Sequence, residues 1–250
     1  MREALERPGL ISLAAGFTDN PSLPVKETRA IIESLLKGKT GQTHLQYGTT
    51  YGDKCLRKLT AQRLAHLDRC SKHGKHYDPD RVLITHGSQQ LLYILSEILF
   101  DPGDVVLVED PSYFVYLGIM QSQGMRTKGI RMETNGLDLV SLETNLQALQ
   151  KTGELARLKA LYLVSYHSNP TGITTNAAKK NAALKLLRRY EKAAGHPIYL
   201  IEDAAYRELR FTGADTPSAL SMDRSANRVI YTSTYSKPFA TGVRVGYGFL

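Results

Sequence analysis

The sequence predicts a three-layer α/β/α domain built on a mainly parallel sheet of seven strands. Short apolar runs alternate along the chain with segments of helical periodicity, a pattern typical of a parallel sheet flanked by helices. The runs at residues 105–108 and 161–164 are apolar without alternation, as expected when helices cover both faces of the sheet. Polar or glycine-containing clusters follow most of these runs, so we expect a ligand crevice at the carboxyl ends of the strands.

The elements can be placed in order along the chain. Strand candidates lie at residues 81–84, 105–108, 126–130, 159–164, 198–201, 229–232 and 243–250. Helix candidates lie at residues 56–67, 89–100, 113–123, 142–151 and 177–193. The last helix shows the expected spacing, because Ala183, Leu184, Leu187 and Tyr190 recur on one face.

Composition excludes several classes of protein. The 250 residues contain no apolar run near the roughly 18 that a membrane helix needs, and the amino terminus has no apolar signal-peptide core. Cys55 and Cys70 have neither metal-binding spacing nor a disulfide framework, so we expect no metal and a cytoplasmic location. The net charge is +8, but the basic residues are scattered and form no aromatic-rich stripe that could stack on bases. This distribution favours a solvated basic surface over nucleic-acid binding.

The segment after the sixth strand candidate predicts the chemistry. Lys237 lies there among the hydroxyl groups of Thr234 and Ser236, and Arg244 follows seven residues later. A lysine amine can form a Schiff base once it has lost its proton. Hydroxyl groups together with a guanidinium group can hold a phosphate dianion. This combination is what anchoring pyridoxal phosphate requires, although by itself the segment would also suit a solvated loop.

Other strand ends carry groups that suit the same ligand. Ser88 opens a helix whose free N–H groups can bind an anion, or it is an ordinary helix cap. Tyr113 can stack on a planar ring or belong to the core. Asn169, in a turn shaped by proline and glycine, can donate to a ring oxygen. Asp203 can pair with a protonated pyridine nitrogen, or cap a helix.

Five motifs in this order resemble those of the pyridoxal-phosphate-dependent aminotransferases of fold type I, class I/II. The motifs are GSQQ at 87–90, EDPSY at 109–113, SNPTG at 168–172, EDAAY at 202–206, and TYSK with GVRVGY within 234–247. The likeness is strongest to the 2-aminoadipate and aromatic aminotransferase-like branch. That branch also supplies the aminotransferase-like domain of certain GntR-type transcriptional regulators.

The resemblance implies a role for each residue near the cofactor ring. Lys237 forms the Schiff base and later carries a proton between Cα and C4′. Asp203 pairs with the pyridine nitrogen, and Tyr206 joins Lys237 and Asp203 as a catalytic residue. Tyr206 and Asn169 bond the phenolic oxygen of the ring, while Tyr113 stacks on its face.

The resemblance further implies contacts to the phosphate and the substrate. The expected phosphate ligands are Ser88, Gln89, Thr234, Ser236 and Arg244. Tyr47 matches a position that reaches the phosphate across a dimer interface, which implies a homodimer. Gly16, in a strip at residues 14–17, is expected to line the substrate pocket. Gly16, Tyr47 and Asn169 are therefore the expected substrate contacts.

The resemblance also implies a division of the chain. Residues 1–44 form an amino-terminal segment contributing to the substrate pocket, and residues 45–250 form the cofactor-binding large domain. The chain stops within a strand candidate, so we expect a small carboxyl-terminal domain beyond Leu250. That domain would carry the arginine that binds the substrate carboxylate. The final strand of the sheet is expected to run antiparallel.

The activity implied is transfer of an amino group from an α-amino acid to a 2-oxo acid. Two alternatives share the fold: a lyase or decarboxylase that uses the same cofactor, and an effector-binding domain of a transcriptional regulator. Nicotinamide-dependent Rossmann enzymes are disfavoured because GxGxxG is absent, and α/β-hydrolases because GxSxG is absent.

Overall fold

In the described part of the chain, eight strands form a single sheet between two layers of helices. The computed structural model describes residues 16, 18–70 and 74–250. The strands are β1 (Val82–Thr85), β2 (Val105–Asp110), β3 (Arg126–Glu133), β4 (Gly136–Leu137), β5 (Leu158–Val164), β6 (Tyr199–Asp203), β7 (Val229–Thr234) and β8 (Gly246–Phe249). The α-helices are α1 (Val25–Leu36), α2 (Lys54–Leu67), α3 (Ser88–Leu99), α4 (Phe114–Ser122), α5 (Leu139–Lys151) and α6 (Ala177–Ala194).

The strands follow the order β1-β8-β7-β6-β5-β2-β3-β4 across the sheet. Strands β3, β2, β5, β6 and β7 pair in parallel. β8 lies between β1 and β7 and runs antiparallel to both, and the short β4 is antiparallel to β3. The predicted mainly parallel sheet with an antiparallel final strand is therefore confirmed.

Two apolar cores lie on opposite faces of the sheet because side chains alternate along each strand. On β5, Leu161 and Leu163 join the core that α2, α5 and α6 cover. Tyr162 and Val164 join the core that α3 and α4 cover. Burial of both faces explains why the central strands are apolar without alternation.

Local capping interactions set where the helices begin. The Asp138 carboxylate accepts hydrogen bonds from the first N–H groups of α5, and Asn176 caps α6 in the same way. Gly195 ends α6 in the left-handed conformation that glycine adopts at low cost. No helix in the described part of the chain is both long enough and apolar enough to cross a lipid bilayer.

The structure corrects the predicted elements at three places. The sheet has eight strands rather than seven, because β4 is only two residues long and leaves no periodic pattern. Helix α1 was not predicted, and none of its residues is buried within this chain. The last strand begins at Gly246 rather than at residue 243, since a 3₁₀ turn at Thr241–Val243 and a left-handed Arg244 precede it.

Strand β8 brings together the elements that carry the predicted phosphate ligands. Gly246 pairs with Thr85 at the end of β1 and with Thr234 at the end of β7. A Cβ atom on Gly246 would collide with the backbone of Gly87 and Ser88, where α3 begins. The start of α3 therefore packs directly on the β8 backbone, and only glycine permits this approach.

We predict that Gly246→Ala lowers the free energy of unfolding by about 1–3 kcal/mol, because the added methyl group must displace backbone atoms. Urea unfolding followed by far-UV circular dichroism measures the change. Gly118→Ala in α4 is the matched control, since a Cβ there meets open space. Its stability should be unchanged or raised by up to about 1 kcal/mol. Equal stability of Gly246→Ala and the unmodified protein would contradict the packing argument.

Candidate active site

A cavity of about 340 Å³ opens at the carboxyl edge of the parallel strands. Most of the predicted site residues line it, although they come from five separate stretches of the chain. These residues are Gly16, Ser88, Gln89, Tyr113, Asp203, Tyr206, Thr234, Ser236, Lys237 and Arg244. A cavity of this size lies within the range of small-molecule sites in proteins.

One end of the cavity is built to receive an anion. Arg244 Nη1 lies 3.4 Å from Ser236 Oγ, and Thr234 Oγ1 lies 3.0 Å from the same Ser236 oxygen. A Cβ atom at Gly87 would approach Arg244 Nη2 to 2.5 Å, so this glycine lets the guanidinium group lie against the start of α3. The free N–H groups and Ser88 at that helix start add to the positive potential.

Asp203 supplies a carboxylate to the same cavity from the last position of β6. Its side chain is buried, with 4% of the residue exposed. Burial raises the pKa of Asp203 from its ordinary value of 3.8 to about 6, while hydrogen bonds from Ala205 N and Tyr162 Oη oppose the shift. Within the described residues, no cationic side chain forms an ion pair with this carboxylate. It is therefore available to a cationic group on a ligand.

Lys237 and Tyr206 face each other across the site. The Lys237 ammonium lies 5.3 Å from the centre of the Tyr206 ring. Asn169 Nδ2 donates to Tyr206 Oη at 3.5 Å. Burial raises the pKa of Tyr206, whereas the Asn169 contact lowers it. Asn169 does not line the cavity wall itself, so the structure links it to the site through the tyrosine hydroxyl.

A buried carboxyl group supports the turn that carries Asn169. Glu109 Oε2, at the end of β2, accepts hydrogen bonds from Val164 N at 3.0 Å and Ser168 Oγ at 3.2 Å. Burial raises the pKa of Glu109 to about 8, so it is largely protonated at neutral pH. The ends of β2 and β5 and the turn at Ser168 are thus held by one uncharged side chain.

The remaining predicted residues are placed differently. Tyr113 lines the cavity, and burial raises its pKa to about 12. Tyr47 is fully exposed and lies outside the cavity wall of its own chain. Gly16 reaches the wall, but the other members of its predicted strip, Ala14, Ala15 and Phe17, lie outside the described residues.

Sequence reasoning missed four residues of the wall: Thr18, Val164, Ala205 and Thr241. Val164 and Ala205 adjoin the ends of β5 and β6, where any residue is a candidate. Thr241 lies between Lys237 and Arg244, and its carbonyl oxygen accepts a hydrogen bond from Arg244 Nη1 at 3.2 Å. The sequence position of Thr241, between two predicted site residues, could have indicated that it lines the cavity.

Residues 8–250 match the sequence profile of the family described as Aminotransferase class I and II. The chain belongs to this family. The resemblance inferred from the five motifs is therefore confirmed, and the fold is that of the family's solved members.

Curated relatives and solved structures agree with this assignment. The chain is 30% identical to aromatic-amino-acid aminotransferase 1 of Thermococcus litoralis and 32% identical to 2-aminoadipate transaminase of Thermus thermophilus. Each match covers 97% of the chain and 55% of the relative. The Pyrococcus horikoshii kynurenine aminotransferase structure, in complex with PMP, superposes with a TM-score of 0.86 at 30% identity. That match covers 99% of this chain and 58% of the other, so the chain spans just over half the length of these relatives.

We predict that Asp203 makes stability fall as pH rises. Its pKa is higher in the folded protein than in the unfolded chain, so the folded state binds the proton more tightly between about pH 4 and 6. Asp203→Asn has no carboxyl group to ionise. Between pH 5 and pH 7.5, the unfolding free energy of the unmodified protein should therefore fall by about 1 kcal/mol relative to that of the variant.

Urea unfolding of both cofactor-free proteins at the two pH values measures this difference. Glu97→Gln, at an exposed position of α3, is the matched control. A constant difference between Asp203→Asn and the unmodified protein at both pH values would show that the Asp203 carboxyl group is not destabilised by burial.

Proposed function

We propose that this chain binds pyridoxal 5′-phosphate through Lys237 and transfers an amino group from an α-amino acid to a 2-oxo acid. The observation that carries the proposal is one cavity lined by an amine, a buried carboxylate and an arginine beside a helix start. These three groups match the aldehyde, ring nitrogen and phosphate of that cofactor. Membership of the aminotransferase family supports the same assignment.

The residues of the cavity fit this cofactor at each end. Ser88, Gln89, Thr234, Ser236 and Arg244 would hold the phosphate, because hydroxyl groups and a guanidinium group can satisfy its three terminal oxygens. Asp203 would pair with the protonated ring nitrogen, which supplies the buried carboxylate with its missing cation. Tyr206 and Asn169 would bind the phenolic oxygen, and Tyr113 would lie against the ring.

The reaction divides between the cofactor and the protein. When bound, pyridoxal phosphate supplies an aldehyde for amines and a ring that accepts the electron pair left at the substrate Cα. With the cofactor in place, the incoming substrate amine would release Lys237, which would then remove the Cα proton and return it at C4′. Asp203 would keep the ring nitrogen protonated, and the residues around the phosphate would hold the ring within reach of Lys237.

The proposal includes partners and location. The substrates are an α-amino acid and a 2-oxo acid, with Gly16, Tyr47 and Asn169 as the substrate contacts. The protein acts as a homodimer in which Tyr47 serves the neighbouring subunit, because this exposed side chain does not reach the cavity of its own chain. Residues 1–44 contribute to the substrate pocket, and residues 45–250 form the cofactor-binding domain. A reducing, cytoplasmic location agrees with two free cysteines.

An isotope-transfer assay tests the reaction. The whole protein is incubated with a panel of ¹⁵N-labelled amino acids and 2-oxoglutarate, and labelled glutamate is measured by mass spectrometry. Transfer of the label supports amino transfer. Release of labelled ammonia or of carbon dioxide without labelled glutamate would indicate a lyase or decarboxylase. Binding of amino acids without any turnover would favour the regulator domain.

We predict that borohydride reduction fixes the cofactor to a single peptide that contains Lys237. Lys237→Ala should abolish this covalent labelling, because it removes the amine that condenses with the aldehyde. Arg244→Lys is the matched control: it should still be labelled but should bind the cofactor about tenfold more weakly, since lysine lacks the two-point contact with phosphate. Peptide mapping by mass spectrometry decides the result, and a label on a different lysine would refute the assignment.

We predict that Tyr47→Ala and Lys237→Ala proteins complement each other when mixed. A dimer with one chain of each kind keeps one complete site, made of Lys237 from one chain and Tyr47 from the other. Random exchange in an equimolar mixture should restore about a quarter of the unmodified activity, because half the dimers are mixed and each has one intact site. No recovery after subunit exchange, confirmed by native mass spectrometry, would show that Tyr47 does not act across an interface.

A further inference from the structure

Tyr162 on β5 contacts the Asp203 carboxylate from the protein interior rather than from the cavity. Tyr162 Oη donates a hydrogen bond to Asp203 Oδ2 at 2.9 Å. The tyrosine is 0% exposed and does not line the cavity, so it can meet a ligand only through Asp203. The other carboxylate oxygen, Oδ1, accepts a hydrogen bond from Ala205 N at 3.0 Å.

The register of the sheet explains why these two side chains meet. Tyr162 pairs with Ile201 and Val164 pairs with Asp203, so Tyr162 is the diagonal neighbour of Asp203 on the same face. The long tyrosine side chain spans this diagonal, as its hydrogen bond to Asp203 shows. This contact cannot be predicted from the spacing of the two residues in the sequence, because they lie on different strands.

Packing holds the tyrosine ring in place. Tyr162 stacks on Tyr116 of α4, with ring centroids 4.0 Å apart and an interplanar angle of 26°. Tyr116 is also 0% exposed, and Ser96 Oγ of α3 lies 3.4 Å from its hydroxyl oxygen. The Tyr162 hydroxyl group therefore has little freedom to leave Asp203 for another acceptor.

The charges favour a tyrosine that donates and a carboxylate that accepts. Burial raises the pKa of Tyr162 well above its ordinary value, and the nearby Asp203 charge raises it further. The phenol thus keeps its proton throughout the working pH range. Its hydrogen bond, in turn, lowers the pKa of Asp203 against the effect of burial.

We propose that Tyr162 is a positioning residue for the amino-transfer reaction: its hydroxyl group fixes the Asp203 side chain and favours the charged form that pairs with the ring nitrogen. The inference rests on the proposed function for its catalytic consequence, but the effect on Asp203 is a property of the chain alone. Phenylalanine at this position would keep the stacked ring and lose only the donor.

The first test measures Asp203 directly in the cofactor-free protein. ¹³C NMR of the labelled aspartate carboxyl carbons follows its titration, and the Asp203→Asn spectrum assigns the signal. Tyr162→Phe should raise the Asp203 pKa by about one unit, because a hydrogen bond to the charged form is lost. Tyr116→Phe is the matched control, since it removes a buried phenol that does not touch Asp203. An unchanged Asp203 pKa in Tyr162→Phe overturns the proposal.

A second substitution acts in the opposite direction and preserves the shape of the side chain. 3-Fluorotyrosine incorporated at position 162 is a more acidic and stronger hydrogen-bond donor, so the Asp203 pKa should fall. This variant keeps the test decisive if Tyr162→Phe does not fold. A rise or no change in the Asp203 pKa with 3-fluorotyrosine would overturn the proposal.

The second test asks whether the contact matters for the reaction. In the holoenzyme, Tyr162→Phe should lower kcat about tenfold and leave KM for the amino acid nearly unchanged. In an Asp203→Asn background the same substitution should have little further effect, because its only route to the cofactor has been removed. Additive losses in the double variant would contradict the positioning role. If the unmodified protein transfers no amino group, the proposed function fails, whereas the Asp203 titration still decides the role of Tyr162.

Discussion

The pairing of β8 with both β1 and β7 is the contact on which the site depends, because it joins segments that are far apart in the chain. Gly246 meets Thr85 on one side and Thr234 on the other, and its lack of a side chain lets α3 begin directly against the strand. The helix start and Arg244 therefore lie on the same cavity wall. That approach brings the positive end of the helix and the guanidinium group together at one end of the cavity.

Two adjacent carboxylates on β6, Glu202 and Asp203, have different surroundings. Glu202 and Asp203 point to opposite faces of the sheet, as successive residues of a strand do. Glu202 is fully buried and pairs with the fully buried Lys180 at 2.9 Å. Asp203 has two hydrogen-bond donors, Tyr162 and Ala205, and forms no ion pair among the described residues. The carboxylate without an ion pair is the one that faces the cavity, where it can meet a cationic group on a ligand.

Much of the fold could be predicted because hydrophobic periodicity and strand-end clusters are local signals. The seven longer strands and five helices were located within a few residues of their observed bounds. Helix α1 was not predicted, and its apolar residues, such as Ile31 and Ile32, lie exposed in this chain. β4 was missed because two residues cannot show a period.

The sequence by itself determined which chemical groups the site has, since five motifs contain the amine, the carboxylate, and the arginine and hydroxyl groups that line the cavity. Only the tertiary structure decided how those groups relate. In the structure, Asn169 lies outside the cavity wall and Thr241 lies on it. Tyr162 contacts Asp203 from the protein interior. The physical reason is that motif residues act through their own side chains, whereas these relations depend on strand register and packing between segments distant in the chain.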